Sequence, residues 1–429
     1  MGDSALGVAG LALLGVLAFA SAILLFRVVP RAAFVVWCLV LFFVPVWIGA
    51  QVGSFFAAIS MVTLAGIAAN VTRMRFALPD LAIAGFAGLG AILFAVGQVS
   101  LSAIVTAVVE WVVPYVWGRI VASRVSSGFV FKAIAVCATF AAVLALLEFA
   151  TGRNLFVQLP ALGPSYSVWA PLQYRGGLLR AEGAFGHSIA LGASLALSTA
   201  FVLAAAWRTR THILMLVIIG AATVVTFSRI GLITEVITIA LCVVLLHRLR
   251  TSTRIAVLII AVVAALVVVP LISDVFLDAG AEAGGSADYR VDLLQLLPQL
   301  KPFGSSDDWS SVTANGTYLG SFAATIDNAL LLIALRFGIV PALVLVLLLG
   351  AGIVSILIPH RATAASIGLV AQIPALFSVA LITQYGMFLW FVGGLAVSLI
   401  HSRDPSGEQG GVSRFRVHPL ALAPGSPRS

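Results

Sequence analysis

Apolar runs follow one another along nearly the whole chain, separated by short polar breaks. A run of about 20 apolar residues, rising 1.5 Å per residue, crosses a bilayer core of about 30 Å, so each run predicts a transmembrane helix. The runs place helices near 5–26, 32–50, 54–70, 80–97, 100–117 and 129–150. After a longer polar stretch come helices near 187–206, 212–227, 230–246, 255–273, 328–357, 363–383 and 386–401. Closed barrels also satisfy the backbone in lipid, but their strands alternate apolar and polar positions, whereas 255–269 is unbroken in apolar character. The pattern therefore predicts an all-α, polytopic transmembrane helical bundle of about 12–13 helices, one domain over 1–401. A Pro-, Gly-, Ser- and Arg-rich segment at 402–429 is expected to be a disordered cytoplasmic tail. The run at 5–26 is read as a helix and not as a signal segment, because no basic stretch precedes it.

Composition sharpens the class. Of the 429 residues, 61% are hydrophobic and 9% charged, against about 25% charged in a soluble domain. The net charge of +8 would suggest nucleic acid in a soluble protein. Here the arginines lie in short clusters between apolar runs, which is the signature of membrane topology. Alternate loops divide the basic residues unequally: 17 of 24 fall in the loops at 27–31, 73–75, 119–132, 208–210, 248–254 and 361 and in the tail. By the positive-inside bias those loops are cytoplasmic, which puts the C-terminus inside and, with thirteen helices, the N-terminus outside. Cys38, Cys137 and Cys242 lie inside apolar spans without metal-ligand spacing and read as small buried hydrophobes.

On the arginine-poor side most connections are very short, except 151–186 and 274–327, the two candidate functional loops. The second contains half of the acids of the chain. Within it, Val291–Leu300 has an amphipathic pattern suited to a short helix at the interface, and 304–320 is polar and glycine-rich. No internal repeat is visible, which disfavours repeat-built transporter folds.

No P-loop, dinucleotide fingerprint, nucleophile elbow, Asp-x-Asp pair or clustered histidines occur, so neither a metal nor a cofactor is expected. Arginine on the arginine-poor side remains. Arg180, Glu182, Gly183, Phe185, Gly186 and His187 lead into a helix that starts near Ser188, where free N–H groups and a positive dipole end can receive an anion. A snorkelling arginine with ordinary helix-start chemistry is the structural alternative. Ser228 and Arg229 sit between two apolar runs with almost no loop to expose them, a position that usually provides an arginine with a partner or a ligand. Asp288, Tyr289, Arg290 and Asp292 lie in the large loop, where Arg290 fits a surface ion pair equally well. Asp327 and Asn328 precede an apolar stretch containing Arg336 and Gly338, and Asp327 also suits a helix N-cap. Glu110, Glu148 and Glu235 are the acids within spans; Glu235 is too far along its helix from Arg229 to pair with it on one face.

In order and on one side of the membrane, these pieces resemble the O-antigen polymerase and ligase superfamily of bacterial envelope polysaccharide enzymes. The matching elements are Arg180 to His187 before a helix, Ser228-Arg229 with Gly231, and a large late loop with Arg290 and Pro302-Phe303-Gly304. Asp327-Asn328 and Gly338-Ile339 close the series. The resemblance implies a GT-C-like, metal-independent glycosyltransferase of the bacterial cytoplasmic membrane. Its donor would be an undecaprenyl-pyrophosphate-linked glycan, its acceptor a hydroxyl on a glycan, lipid or protein, and its surroundings membrane lipids and other envelope polysaccharide assembly proteins. It further implies that Arg229 and Arg290 hold the pyrophosphate with support from Arg180. Asp327 would then be the general base and Asn328 would orient the acceptor or sugar, with Gly183, His187 and Ser228 completing the substrate site. The ligase branch carries His where this chain has Asp327, which favours polymerisation of repeat units over ligase-type transfer. A transporter of lipid-linked sugar or polysaccharide is the competing class; it should carry charge along a mid-membrane path, whereas these arginines gather at one surface.

Overall fold

The computed structural model describes residues 15, 17, 19–52, 54–71, 74, 76–159, 164–247, 249–278, 293–306, 313–314, 317–318, 326, 328–358, 361–381 and 383–402. The chain is an all-helical bundle with only three two-stranded hairpins among the described residues. Among the described residues, five helices are long and apolar enough to cross a membrane: Leu78–Ala95, Leu101–Arg124, Ser127–Thr151, Ile339–Leu357 and Thr383–His401. Shorter apolar helices accompany them, including Phe19–Val28, Pro30–Phe43, Ala58–Asn70, Ser188–Ala204, Thr209–Val225 and Thr251–Val267. The expected run at 5–26 and the tail at 402–429 lie largely outside the described residues.

At the centre stands Ser188–Ala204, almost every residue of which is buried. Its Ala-, Gly- and Ser-rich composition allows neighbours to approach closely from all sides, as small residues do where apolar helices meet in lipid. The helices 127–151, 209–225, 229–245, 364–371 and 383–401 all pack on it. Against Arg229–Leu245 the approach is backbone to backbone, so that a Cβ on Gly231 would lie 3.2 Å from the Gly192 Cα. A second close crossing joins Leu101–Arg124 to Thr383–His401. There Gly118 faces the Phe391 carbonyl and Gly394 faces the Tyr115 carbonyl, with no room for a Cβ at either position. By contrast Ile255, Leu258, Ile259, Val262, Val263 and Leu266 of the peripheral helix Thr251–Asp278 are all exposed, an apolar face suited to hydrocarbon.

An ion pair ties helices together at the arginine-rich end of the bundle. Arg119 meets Asp80 at 2.8 Å and donates to the Ser398 hydroxyl, while Tyr115 donates to the other Asp80 oxygen at 2.7 Å. All four groups come from helices that cross at Gly118 and Gly394 or start beside them, so the charges lock the packing that the glycines permit.

Several expected spans differ from the structure at their ends. The run at 32–50 stops as a helix at Phe43, just before Pro45, and then forms a hairpin of Gly49–Val52 with Ser54–Ala57. The helix expected at 100–117 continues to Arg124 through a π-helical turn at Ala107–Val112. The single helix expected at 328–357 is broken at Gly338 into Ala329–Phe337 and Ile339–Leu357. Gly338 has φ +103, and a Cβ there would lie 2.5 Å from the Pro302 carbonyl, so only glycine fits. The expected amphipathic helix at 291–300 is a 3-10 helix, Leu293–Gln299, whose Leu293 and Leu296 are buried against Leu331, Leu332 and Leu335 of the helix Ala329–Phe337. It docks onto the bundle with one face instead of lying free at an interface.

Candidate functional site

Two of the sequence elements singled out above meet in space. The helix Thr209–Val225 ends at Val225, leaving its last carbonyls without intrahelical partners. The Thr226 and Phe227 N–H groups take the Thr223 and Val224 carbonyls, and residues from the 151–186 segment take those of Val225 and of the two residues after it. The Ala181 N–H donates to the Val225 carbonyl at 3.0 Å, Arg180 Nε donates to the Thr226 carbonyl at 3.0 Å, and Arg175 donates to the Phe227 carbonyl at 2.7 Å. Two guanidinium groups thus sit at the negative end of a helix dipole, where cations are favoured. The turn they hold is unusual, because Phe227 has φ +46, a left-handed conformation costing about 1–3 kcal/mol for a bulky residue. Phe149 packs edge-on against its ring at 5.8 Å. Ser228 then caps the next helix, its Oγ accepting from the Gly231 N–H at 3.1 Å.

Arg229 occupies the first position of that helix and is exposed. Glu235, one and a half turns further on, does not serve it. Its carboxyl accepts from the Thr199 hydroxyl at 2.8 Å inside the bundle. Arg180 is buried against the 226 carbonyl, so it supports the turn that presents Arg229.

The segment after Arg180 is built on a buried carboxylate. Glu148, in the last turn of Ser127–Thr151, accepts from the Glu182 N–H at 3.1 Å and from the Gly183 N–H at 2.9 Å. The Asn154 side-chain amide donates to the same carboxylate at 3.0 Å and to the Gly183 carbonyl at 3.1 Å. Gly183 has φ +54, and this sharp turn aims both N–H groups at one acceptor. Glu182 is itself buried and accepts from the Gln173 N–H at 2.9 Å. Burial pushes its carboxyl up to about 8; the Glu148 charge adds to this, and the Gln173 hydrogen bond and Arg180 offset part of it. His187 caps Ser188–Ala204, its Nδ1 accepting from the Ile189 N–H at 3.2 Å, while Trp169 packs edge-on against its ring at 6.3 Å. Burial first, and the nearby Arg180 charge second, pull its imidazole down to about 4, so it is neutral at physiological pH. The start of that helix is therefore closed by His187, and Ser188 is buried, bonded to Gln173 at 2.9 Å.

These two groups set a pH dependence. The unfolded chain releases the Glu182 proton near 4.5 and the folded chain holds it to about 8, so this contribution to stability is lost as pH rises through that window. His187 acts in the opposite sense: its contribution is lost as pH falls from 6.5 toward about 4. Between pH 6.5 and 8 only Glu182 of the pair titrates, and stability should fall by about 2 kcal/mol, since one pKa unit is worth about 1.4 kcal/mol. Thermal unfolding in detergent at both pH values should show this drop, and in Glu182→Gln the drop should be smaller by about that amount. An equal drop in the variant would overturn the assignment.

Beside this turn lies a polar cavity of about 220 Å³. Its charged walls are Glu110, from the π-helical turn, and Arg336, from the last turn of Ala329–Phe337. Each feels the other's charge, yet among the described residues no hydrogen bond or ion pair joins them directly. Thr106, Thr383 and Gln384 add neutral polar groups, and Trp111 and Trp169 add aromatic walls. Trp169 and Val46 connect the cavity to the turn: Trp169 touches His187, and the Val46 N–H donates to the Ala184 carbonyl at 3.2 Å.

Of the residues expected from sequence, Arg180, Gly183, His187, Ser228 and Arg229 are brought into one neighbourhood. Asn328 is the N-cap of Ala329–Phe337, its side chain accepting from the Leu331 N–H at 3.0 Å, and the following Ala329 borders the cavity. The capping role considered for Asp327 thus belongs to Asn328. Arg290 and Asp327 lie outside the described residues. Sequence reasoning named Glu110, Glu148 and Arg336 without giving them a role, and missed Gln384 and Trp169. An ionisable residue inside an apolar span was the available signal for the first two. Among the described residues no group of three or more His, Cys, Asp and Glu could hold a metal ion, and the three cysteines are free and buried.

Fold and site together define a bundle of apolar helices, several of them long enough to cross a membrane, with a partly polar cavity between them. Comparisons with protein-family models, with curated proteins and with solved structures give no match.

Proposed function

We propose that this protein is a glycosyltransferase of the bacterial cytoplasmic membrane that acts at its extracytoplasmic face on an undecaprenyl-pyrophosphate-linked glycan, polymerising repeat units. The observation that supports the reading is the junction of the 175–181 and 225–227 segments, hydrogen-bonded to one another, which shapes the turn that leaves Arg229 exposed at a helix start. In the reaction the acceptor hydroxyl oxygen bonds to the anomeric carbon of the donor sugar. The bond from that carbon to the pyrophosphate oxygen breaks, the lipid pyrophosphate leaves with the electron pair, and the hydroxyl proton passes to a base. Charge grows on the leaving diphosphate, and a guanidinium meets it with two parallel hydrogen bonds while staying protonated throughout. Arg229, exposed at the start of its helix, is assigned that contact together with Arg290, and Asp327 is assigned the base.

The test is incubation of the purified protein in lipid nanodiscs with an undecaprenyl-pyrophosphate-linked repeat unit, with chelator and no added metal, followed by sizing of the glycan. A ladder of longer products, with release of undecaprenyl pyrophosphate, is expected. Absence of transfer to any glycan, lipid or protein acceptor, with labelled donor instead moving across a vesicle bilayer, would overturn the enzyme in favour of a transporter.

A further inference from the structure

We infer that the Glu110–Arg336 chamber is the subsite for one uncharged sugar ring of the glycan, separate from the place where the diphosphate binds. The inference deepens the proposed function and rests on it for the identity of the ligand as a glycan.

The argument begins with charge. A diphosphate would be drawn to a wall of like cations, but this chamber sets one carboxyl against one guanidinium. The acceptor that Glu110 sets beside the Arg336 guanidinium makes this wall one of mixed character, which suits a ligand that both donates and accepts hydrogen bonds better than a diphosphate. The two are close enough to interact electrostatically, yet the cavity lies between them without a direct bond among the described residues.

What surrounds that charged pair is chemistry suited to a polyol. Sugar hydroxyls donate and accept at once, and the walls offer an acceptor in Glu110, donors in Arg336 and mixed groups in Thr106 and Gln384. Gln384 is 1% exposed; its amide nitrogen donates to the Val44 carbonyl at 2.6 Å, while its Oε1 has no partner among the described residues. An unmet acceptor so deeply buried is rare in a finished core and common where a ligand completes the set. Trp111 and Trp169 supply flat apolar faces for the C–H faces of a ring. The cavity of about 220 Å³ has room for a sugar ring. Glu110 lies in a π-helical turn, a local irregularity that recurs at functional sites.

The experiment uses the full chain in nanodiscs and follows the intrinsic fluorescence of Trp111 and Trp169 during titration with a panel of methyl glycosides. Inorganic pyrophosphate and alanine serve as competitors. At least one glycoside should bind saturably, with affinity lowered tenfold or more in Glu110→Gln and in Arg336→Gln and unaffected by either competitor. Thr106→Val, a milder change of the same wall, should weaken binding about threefold, so the proposal stays testable should a charge variant fail to fold. Saturable binding of none of the glycosides would overturn it, as would binding unchanged in the variants. Displacement by pyrophosphate would make the chamber an anion site, and displacement by alanine a zwitterion site; either overturns the sugar assignment. Because binding is read without turnover, a protein that binds glycosides but never transfers them sinks the proposed reaction and leaves the chamber intact. Transfer at full rate in Glu110→Gln does the reverse.

Discussion

Glu148→Ala should destabilise the folded protein by about 3–5 kcal/mol, as three buried donors lose their acceptor and each orphaned group costs about 1–3 kcal/mol. The carboxylate is the only described group that receives the N–H groups of both Glu182 and Gly183. The Asn154 amide would keep its bond to the Gly183 carbonyl but lose the one to Glu148. Loss of this anchor would free the segment that carries Arg180, and with it the hydrogen bond to the Thr226 carbonyl that shapes the turn before Arg229. Glu148→Gln retains one accepting oxygen and turns the other into a donor facing a donor. Its expected loss is smaller, about 1–2 kcal/mol. Chemical or thermal unfolding in detergent measures both, and limited proteolysis between 151 and 186 should quicken in the same order. Variants as stable as the parent would show that water satisfies these donors in the carboxylate's place.

That anchor also illustrates how far the sequence could be read. Hydropathy places nearly every described helix, because an apolar run in lipid must close its own backbone hydrogen bonds, and a helix is the local way to do so. The ends were harder. The residues 49–57 hold Gln51, Ser54 and two glycines among apolar neighbours, a break too short to distinguish a hairpin from a turn between helices, so the two strands fall at the ends of two expected spans. Gly338 sits in a hydrophobic stretch interrupted only by Arg336, and its break follows from the backbone of Pro302 and Phe303 pressing against it, a tertiary fact. The arginines of the site were legible because a cation between two apolar runs is expensive wherever it lies. Their partners were not: Glu148 reaches Gly183 and Glu110 faces Arg336 only through the packing of helices distant in sequence. His187 and Asn328 were visible as polar residues before apolar runs, and the structure shows both working as helix caps.

Arg229→Ala should lower transferase activity by about 10²–10³-fold, the loss seen when one preorganised contact to developing negative charge is removed. Stability should stay within about 0.5 kcal/mol of the parent, as for exposed positions generally. The separation of the two effects is what makes the prediction specific. A cation at the first position of a helix opposes the helix dipole by about 0.3–1 kcal/mol, so the dipole does not favour a positive charge at the start of Arg229–Leu245. Ser228 already caps that helix through Gly231. Arg180 is the contrasting case, since its guanidinium closes the carbonyl end of the preceding helix and is buried; Arg180→Ala should reduce activity and stability together. Arg229→Lys keeps the charge but loses the planar fork, and should recover only part of the rate. Product sizing from the nanodisc reaction, alongside melting curves of the three variants, reads both quantities. Should Arg229→Ala make polymer at the parental rate, the diphosphate is held elsewhere and Arg229 has no part in the chemistry.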